Sequence, residues 1–357
     1  MLLFMPTLVY SEENCVQNHF KDIALIGEKA MIVTGKHSSR ANGSLNDVTE
    51  VLKQENIPYI IFDEIEENPS VETVMKARET GLKENVDFII GIGGGSPLDA
   101  SKAIALMIAN PDSSEEVLYQ STPLPYIPVV CIPTTCGTGS EVTPYAILTL
   151  HKQRTKKSIS HKIYPTLALL DAKYLKTASR SCLINTSVDA LAHLIESYLN
   201  TNSNALNRIY SEQGLRAWAA FKDHLKNDTL EDCDYTNMLH ASMIAGMAIT
   251  HTGTSLPHGL SYPVTYEMGV PHGKAVGMFL GGYVDTYKDK AETAHVLSLL
   301  GFSSSSEFRT FLKELLGNVE VSADLLEKDA ESILANPGKL KNYPFEVTKD
   351  ELIHMVN

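Results

Sequence analysis

The sequence contains no CxxC pair, and its five cysteines (Cys15, Cys131, Cys136, Cys182 and Cys233) are scattered and odd in number. That pattern argues against a disulfide framework and a thiolate zinc site, and fits a reducing compartment. Also missing is any run of eighteen uninterrupted apolar residues, so no membrane span is expected. The opening MLLFMPTLVYSEEN lacks both a basic flank and a long apolar stretch. A secretory leader is therefore not expected, and the cytoplasm is the expected location. There is no basic surplus: 30 Lys+Arg stand against 43 Asp+Glu, a formal charge of −13. Nucleic acid is consequently not an expected partner, because phosphate-backbone binding needs a concentrated basic surface. A local basic patch could still take a small phosphorylated molecule. No fixed-period repeat and no low-complexity tract is found.

What is present is a globular composition, 43% apolar and 20% charged, over 357 residues, a length that favours two domains. The first half alternates. The β-rich runs KAMIVTG (29–35), IPYIIF (57–62), VDFIIGIG (86–93) and IPVVCIPTT (127–135) are separated by helical patterns such as 45–56 and 70–85. This predicts parallel βαβ units with helices on both faces of a Rossmann-like sheet. The polar stretch 149–165 reads as a hairpin or flap, and LALLD (167–171) as a further strand. From about residue 180 the spacing turns helical, through 187–200, 207–225, 235–253 and 305–317. The expected organisation is an α/β dinucleotide-binding domain over 1–178 and an all-α domain over 179–357.

GIGGGSPLDASKAIAL (91–106) follows a buried-looking strand and opens a helix, with Ser96 expected as the N-cap, Pro97 at the first helical position and Asp99 completing a box-like cap. Consecutive glycines let backbone N–H groups approach an anion, and the helix start adds partial positive charge. A diphosphate cradle and a tight strand-to-helix turn both remain open. A second loop, IPTTCGTGSEVTPY (132–145), also follows a strand and is crowded with hydroxyls and glycines, which favours a ligand crevice.

Asp189 and His193, in VDALAH, stand four apart on a helix and share one face. Pro-His-Gly occurs twice in PHGLSYPVTYEMGVPHG (257–273), bringing in His258 and His272. One carboxylate and three imidazoles suit Fe(II), Zn(II), Mn(II) or Co(II), and a site without thiolate that keeps open positions is catalytic in style. Twelve histidines also allow accidental groupings.

Four stretches, GGGSPLDASK (93–102), PTTCGTGSEVTPY (133–145), DALAHLIESY (189–198) and PHGLSYPVTYEMGVPHGKAVG (257–277), resemble the iron-dependent, group III alcohol dehydrogenases, in the family's order and across most of the chain. The resemblance implies an N-terminal dinucleotide-binding domain and a helical C-terminal domain carrying the metal. It implies metal ligands at Asp189, His193, His258 and His272, the two histidines being presented by the two Pro-His-Gly turns. It places the cofactor diphosphate on Gly93, Gly94, Gly95 and Ser96, with Asp99 and Lys102 completing that motif. Thr134, Thr135, Thr138 and Thr143 come near the nucleotide, and Lys157 is a further cofactor contact. Dimers or larger homo-oligomers are expected by the same analogy.

Two departures stand out. Tyr262 occupies a position where many members have a histidine invoked in proton relay; Tyr262 or His251 could substitute, and both could be plain packing. After the first long strand, where NAD-preferring members tend to carry Asp, the chain has Gly35, followed by Lys36, Ser38, Ser39 and Arg40. Losing the carboxylate and gaining hydroxyls and cations favours NADP(H) over NAD(H), as in the NADP-using bacterial subgroup of 1,3-propanediol dehydrogenases. The expected activity is reversible hydride transfer between NADP(H) and a small primary alcohol or diol and its aldehyde, with Fe(II), or Zn(II), as metal. The competing readings are a zinc polyol dehydrogenase of glycerol type, with three ligands, and a non-catalytic nucleotide-binding sensor.

Overall fold

The computed structural model describes residues 3–153 and 155–356; Arg154, in the expected flap, lies outside the described residues. Two compact units are formed, one by Met5–Thr135 with Gly139–Ala178 and the other by Ser179–Asn357 with Met1–Phe4 and Cys136–Thr138.

The strands of the first unit are β1 (Leu8–Ser11), β2 (Ala30–Thr34), β3 (Tyr59–Phe62), β4 (Phe88–Gly93), β5 (Val129–Pro133), β6 (Ile147–Leu150), β7 (Thr155–Ser158) and β8 (Leu167–Leu170). Six of them make one sheet in the order β1-β8-β5-β4-β2-β3, parallel at every pairing. Successive side chains feed two separate cores. Met31, Val33, Ile89, Val129 and Cys131 pack with the helices Val71–Lys83 and Gly95–Ala109. Ala30, Ile32, Phe88, Ile90, Val130 and Ile132 pack with Val48 and Leu52 of Ser44–Gln54 on the opposite face. A parallel sheet covered on both faces needs strands apolar throughout, which is why these runs read so plainly. The strand β1 is the exception. Its four residues sit half-exposed at the sheet edge against β8, so no apolar run advertised it.

The chain leaves β2 outward to β3 and then crosses to β4 on the other side of β2, so the order reverses between β2 and β4. Crevices outside the carboxyl ends of strands at such a reversal are the usual nucleotide positions of open α/β sheets. The loop starting at Gly35 and the glycine loop after β4 flank this point. The polar stretch forms the hairpin β6–β7, in register Ile147↔Ser158 to Leu150↔Thr155.

The second unit is helical, with Arg180–Tyr198, Arg208–Asn227, Asp232–Thr252, Leu256–Met268, His272–Thr286, Lys290–Leu300, Ser305–Leu316 and Ala323–Leu334 as its longer elements. Ser179 caps the first of these by accepting from Cys182 N at 3.2 Å. From Ser187 to Tyr198 every residue of that helix is buried, so it is the unit's core and not a surface helix. Trp218, fully buried, donates Nε1–H to Ser187 O at 2.9 Å. None of the described helices is long and apolar enough to cross a membrane. Replacing Trp218 with Ala should lower the unfolding free energy by about 3–5 kcal/mol through the cavity and the lost donor. Urea denaturation checks this, and an unchanged midpoint would contradict the packing role.

Candidate metal centre and nucleotide loops

Gly93 closes β4 with φ +148°, a region open to glycine, and a Cβ there would fall 2.6 Å from Pro97 Cγ. The following helix begins at Gly95 with Gly94 as its cap residue and no side-chain cap. This corrects the expected cap: Ser96 lies inside the first turn, and its Oγ accepts from Asn68 N at 3.0 Å. The first N–H bonded within the helix is that of Leu98, to Gly94 O at 3.3 Å. A helix start leaves its first N–H groups without intrahelical partners, and here no bulky cap stands in front of them. A Cβ on Gly94 would meet Thr135 Oγ1 at 2.9 Å, so the glycine loop and the threonine loop lie side by side. Thr134 N–H ties them further, donating to Gly93 O at 2.9 Å.

Asp99 and Lys102 do not line that loop as free groups. Lys102 is fully buried and donates to Ser140 Oγ (2.7 Å), Tyr145 O (2.8 Å) and Thr143 Oγ1 (3.4 Å). Asp99 accepts from Ser140 Oγ (2.5 Å) and Ile147 N (2.9 Å), with Lys102 Nζ at 3.7 Å. The cluster stitches the helix behind the glycine loop to residues 140–147, and it occupies Thr143 as well. Burial lowers the Lys102 pKa against the pull of Asp99, and raises that of Asp99 against the pull of Lys102. Thr138 belongs to the segment grouped with the helical unit. In the loop after β2, Ser38 and Lys36 are exposed, but Ser39 is fully buried, so the expected Ser39 contact has no exposed hydroxyl behind it. Arg40 pairs with Asp63 at 2.8 Å on the surface. Lys157 holds its ammonium 4.9 Å from the Tyr119 ring centroid.

In the helical unit the four expected ligands come together. Asp189 Oδ1 lies 3.3 Å from His258 Nε2, 3.6 Å from His272 Nε2 and 3.9 Å from His193 Nε2. Ligand atoms of Asp189, His258 and His272 all fall within 4.8 Å of one another. His193 stands beside this trio, its ring stacked on His258 with centroids 4.5 Å apart, and its Nδ1 lies 3.3 Å from Gly137 O. Asp189, His193 and His258 are buried, whereas the His272 side chain is 33% exposed and leaves the cluster open on that side. Asp189 Oδ1 and His258 Nε2 are buried and have no hydrogen-bond partner among the described residues. Buried polar atoms crowded this way are costly unless positive charge, a proton or a cation, takes them up, and an N/O set of this kind fits Fe(II) or Zn(II).

The Pro-His-Gly units are helix starts, which corrects the turn reading. His258 is in the first turn of Leu256–Met268 behind Pro257, and His272 begins His272–Thr286 with Pro271 as cap residue. Each glycine permits close packing. A Cβ on Gly273 would sit 1.7 Å from Asn185 O, and one on Gly259 would sit 2.9 Å from Ile333 Cδ1. Removing the Cβ at Gly273 is what lets the His272 helix lie against the Asp189 helix.

Sequence reasoning missed Glu196. It is fully buried, accepting His258 N–H on Oε1 (2.9 Å) and facing His258 Nδ1 with Oε2 (2.5 Å). Its spacing, seven after Asp189 and three after His193 on an otherwise apolar helix, was the available signal. Burial works against a charged His258, but Glu196 and Asp189 outweigh it and push its pKa up to about 10. Burial likewise opposes the Asp189 carboxylate, but His193, His272 and His258 hold it well below the usual range. Tyr262 stacks on His272 at 5.9 Å and 8°; 37% of the residue is exposed, yet desolvation of its hydroxyl, followed by Glu196 and Asp189, pushes the phenol up to about 12. His251 is spent elsewhere, with Nδ1 2.8 Å from Met247 O and Nε2 accepting from Phe4 N at 3.2 Å.

A doubly covered parallel sheet with a glycine loop at its reversal point, and a buried Asp–His cluster, are features that a nucleotide-linked, metal-assisted oxidoreductase requires. Comparison with known proteins makes this specific. Residues 6–172 match the iron-containing alcohol dehydrogenase family, and residues 183–335 match the C-terminal domain of the Fe-containing alcohol dehydrogenase family. An iron-containing alcohol dehydrogenase of Thermotoga maritima is 38% identical with a TM-score of 0.90, covering 99% of this chain and 98% of that one. The NADPH-dependent butanol dehydrogenase of Clostridium saccharobutylicum is 28% identical over 85% of this chain and 81% of its own length. The lactaldehyde reductase of Escherichia coli is 30% identical over 71% of this chain and 66% of its own length. The chain belongs to the iron-containing alcohol dehydrogenase family and is an oxidoreductase of that type.

One buried carboxylate yields a pH prediction. Glu141 is 2% exposed, its Oε1 has no hydrogen-bond partner among the described residues, and burial, opposed by a backbone hydrogen bond and Lys102, pushes its pKa up to about 7. A carboxyl whose folded pKa is raised holds its proton more tightly when folded. Its contribution is therefore full below the unfolded value and is lost as pH rises toward 7. Between about pH 4.5 and 7 the wild type should lose stability relative to Glu141→Gln at up to about 1.4 kcal/mol per pH unit. Paired urea titrations across that range test this; parallel curves would refute it.

Proposed function

We propose that the chain catalyses reversible hydride transfer between NADP(H) and a small primary alcohol or diol and its aldehyde, assisted by Fe(II), or Zn(II), on Asp189, His193, His258 and His272. The observation that carries this is the convergence of Asp189 Oδ1, His258 Nε2 and His272 Nε2, the first two buried and without a geometric hydrogen-bond partner among the described residues. When bound, the metal supplies Lewis-acid polarisation of the substrate oxygen, and the nicotinamide supplies the hydride chemistry. The protein's part is to position and to set the field. Asp189 provides a buried negative charge, and His258 and His272, both in first helical turns, place positive helix ends where oxygen gains charge. Tyr262, beside His272, holds its proton at any working pH and so acts as a hydrogen-bond donor to a substrate oxygen rather than as a base. The diphosphate is assigned to the N–H groups of Gly94, Gly95 and Ser96.

NADP(H) is favoured by the loop after β2. No carboxylate follows that strand, and Lys36, Ser38 and Arg40 are exposed there. The Arg40–Asp63 pair is a surface contact of about 0–1 kcal/mol, which a 2′-phosphate can displace. The NADPH dependence of the Clostridium relative agrees with this. A three-ligand zinc centre is the second reading, favoured by the tighter grouping of Asp189, His258 and His272 against His193 at 3.9 Å. Metal content of His193→Ala decides between the two.

Stopped-flow oxidation by short aldehydes on Fe(II)-loaded protein should favour NADPH over NADH by about tenfold or more in kcat/KM, roughly 1.4 kcal/mol. A preference for NADH would sink the loop reading and leave the metal reading standing. His272→Ala should lose bound metal and at least ~100-fold in activity together, since Lewis-acid stabilisation is worth several kcal/mol. Full activity in metal-stripped His272→Ala would overturn the metal assignment.

A further inference from the structure

We propose that Glu196 is a positioning residue for the metal centre: it fixes the orientation and proton of His258 so that Nε2 is presented to the cation, and it supplies the second of two buried negative charges that the cation balances. The inference rests on the reading of the Asp–His cluster as a metal centre. Both Glu196 oxygens engage one residue, the backbone N–H and the imidazole Nδ1 of His258. That two-point grip sets the ring relative to its own helix. A carboxylate at Nδ1 keeps that nitrogen the proton-bearing one, so the lone pair belongs to Nε2, which faces Asp189 Oδ1 at 3.3 Å. Glu196 also accepts an N–H in the first turn of Leu256–Met268, which places its carboxyl group against a helix start.

The charge count points the same way. Asp189 and Glu196 are both buried, and the ion-pair partners recorded for them among the described residues are imidazoles alone, with no Lys or Arg. Two carboxylates and neutral histidines leave a charge of about −2, which a divalent ion cancels.

The test is Co(II) titration of metal-free wild type, Glu196→Gln, Glu196→Asp and His272→Ala against a competing chelator, with the visible d–d spectrum and the metal-free melting temperature of each. Glu196→Gln keeps the shape but not the charge. It should melt like the wild type without metal, bind Co(II) about 10–100-fold more weakly and shift the d–d bands. Glu196→Asp, one methylene shorter, keeps the charge and one contact, and should fall between. Wild-type affinity and spectrum in Glu196→Gln would overturn the role of Glu196 while the metal reading stands. If Glu196→Gln does not fold, wild-type affinity in Glu196→Asp overturns it equally. A wild type whose Co(II) binding is absent, or survives His272→Ala unchanged, overturns the metal reading and this inference with it.

Discussion

Two carboxylates buried on one face of a helix that has no solvent side set the terms for the whole C-terminal unit. Asp189 and Glu196 lie in the stretch of Arg180–Tyr198 that is enclosed completely, where an uncompensated charge costs several kcal/mol. The fold answers by directing histidines at them from one turn further along the same helix and from the starts of two others. The proton that the protein alone holds on His258 up to about 10 is a measure of that demand for positive charge. The packing follows from the same requirement. The helix start at His272 must come within ligand distance of Asp189, and only a residue without Cβ at 273 lets it pass Asn185 O. Packing and the proposed metal centre thus draw on the same few residues, and the Trp218 indole on Ser187 O holds the helix that carries them.

What was legible in the sequence divides along the physics of burial. Strands covered on both faces are continuous apolar runs, so β2, β4, β5 and β8 could be read directly; of the two half-exposed edge strands, β3 was still betrayed by its apolar YIIF, whereas β1, ending in polar Ser11, was not. The grouping of Asp189 with His193, His258 and His272 was legible because i,i+4 spacing and a repeated Pro-His-Gly are chemical signatures in one dimension. The role of Glu196 was not, since its partner lies 62 positions away and a glutamate on a helix ordinarily means a solvated face. The glycine-loop cap was misread for a related reason. Ser96 has the right chemistry for a cap, but the helix starts one residue before it, and its hydroxyl is engaged by Asn68 N. Asp99 and Lys102 look like ligand residues by position, yet their geometry makes them a buried brace behind the loop.

That brace bears on how an acidic chain can hold an anionic dinucleotide at all. A formal charge of −13 repels phosphate at long range, but salt screens such fields over about 8–10 Å. At contact distance the field belongs to local dipoles. The N–H groups at the start of Gly95–Ala109 carry partial positive charge without any side chain, and Thr134 N–H, donating to Gly93 O, holds that helix start beside the threonine loop. The Lys102 ammonium, bonded to Ser140 and Tyr145 O, braces the same helix from behind. With Lys102, the one lysine buried among the described residues, held as a brace, the proposed diphosphate site would rest on backbone geometry. On the proposed reading, a backbone cradle would take either dinucleotide alike, and discrimination between the two nicotinamide cofactors would fall to the exposed side chains after β2, at the opposite flank of the reversal point.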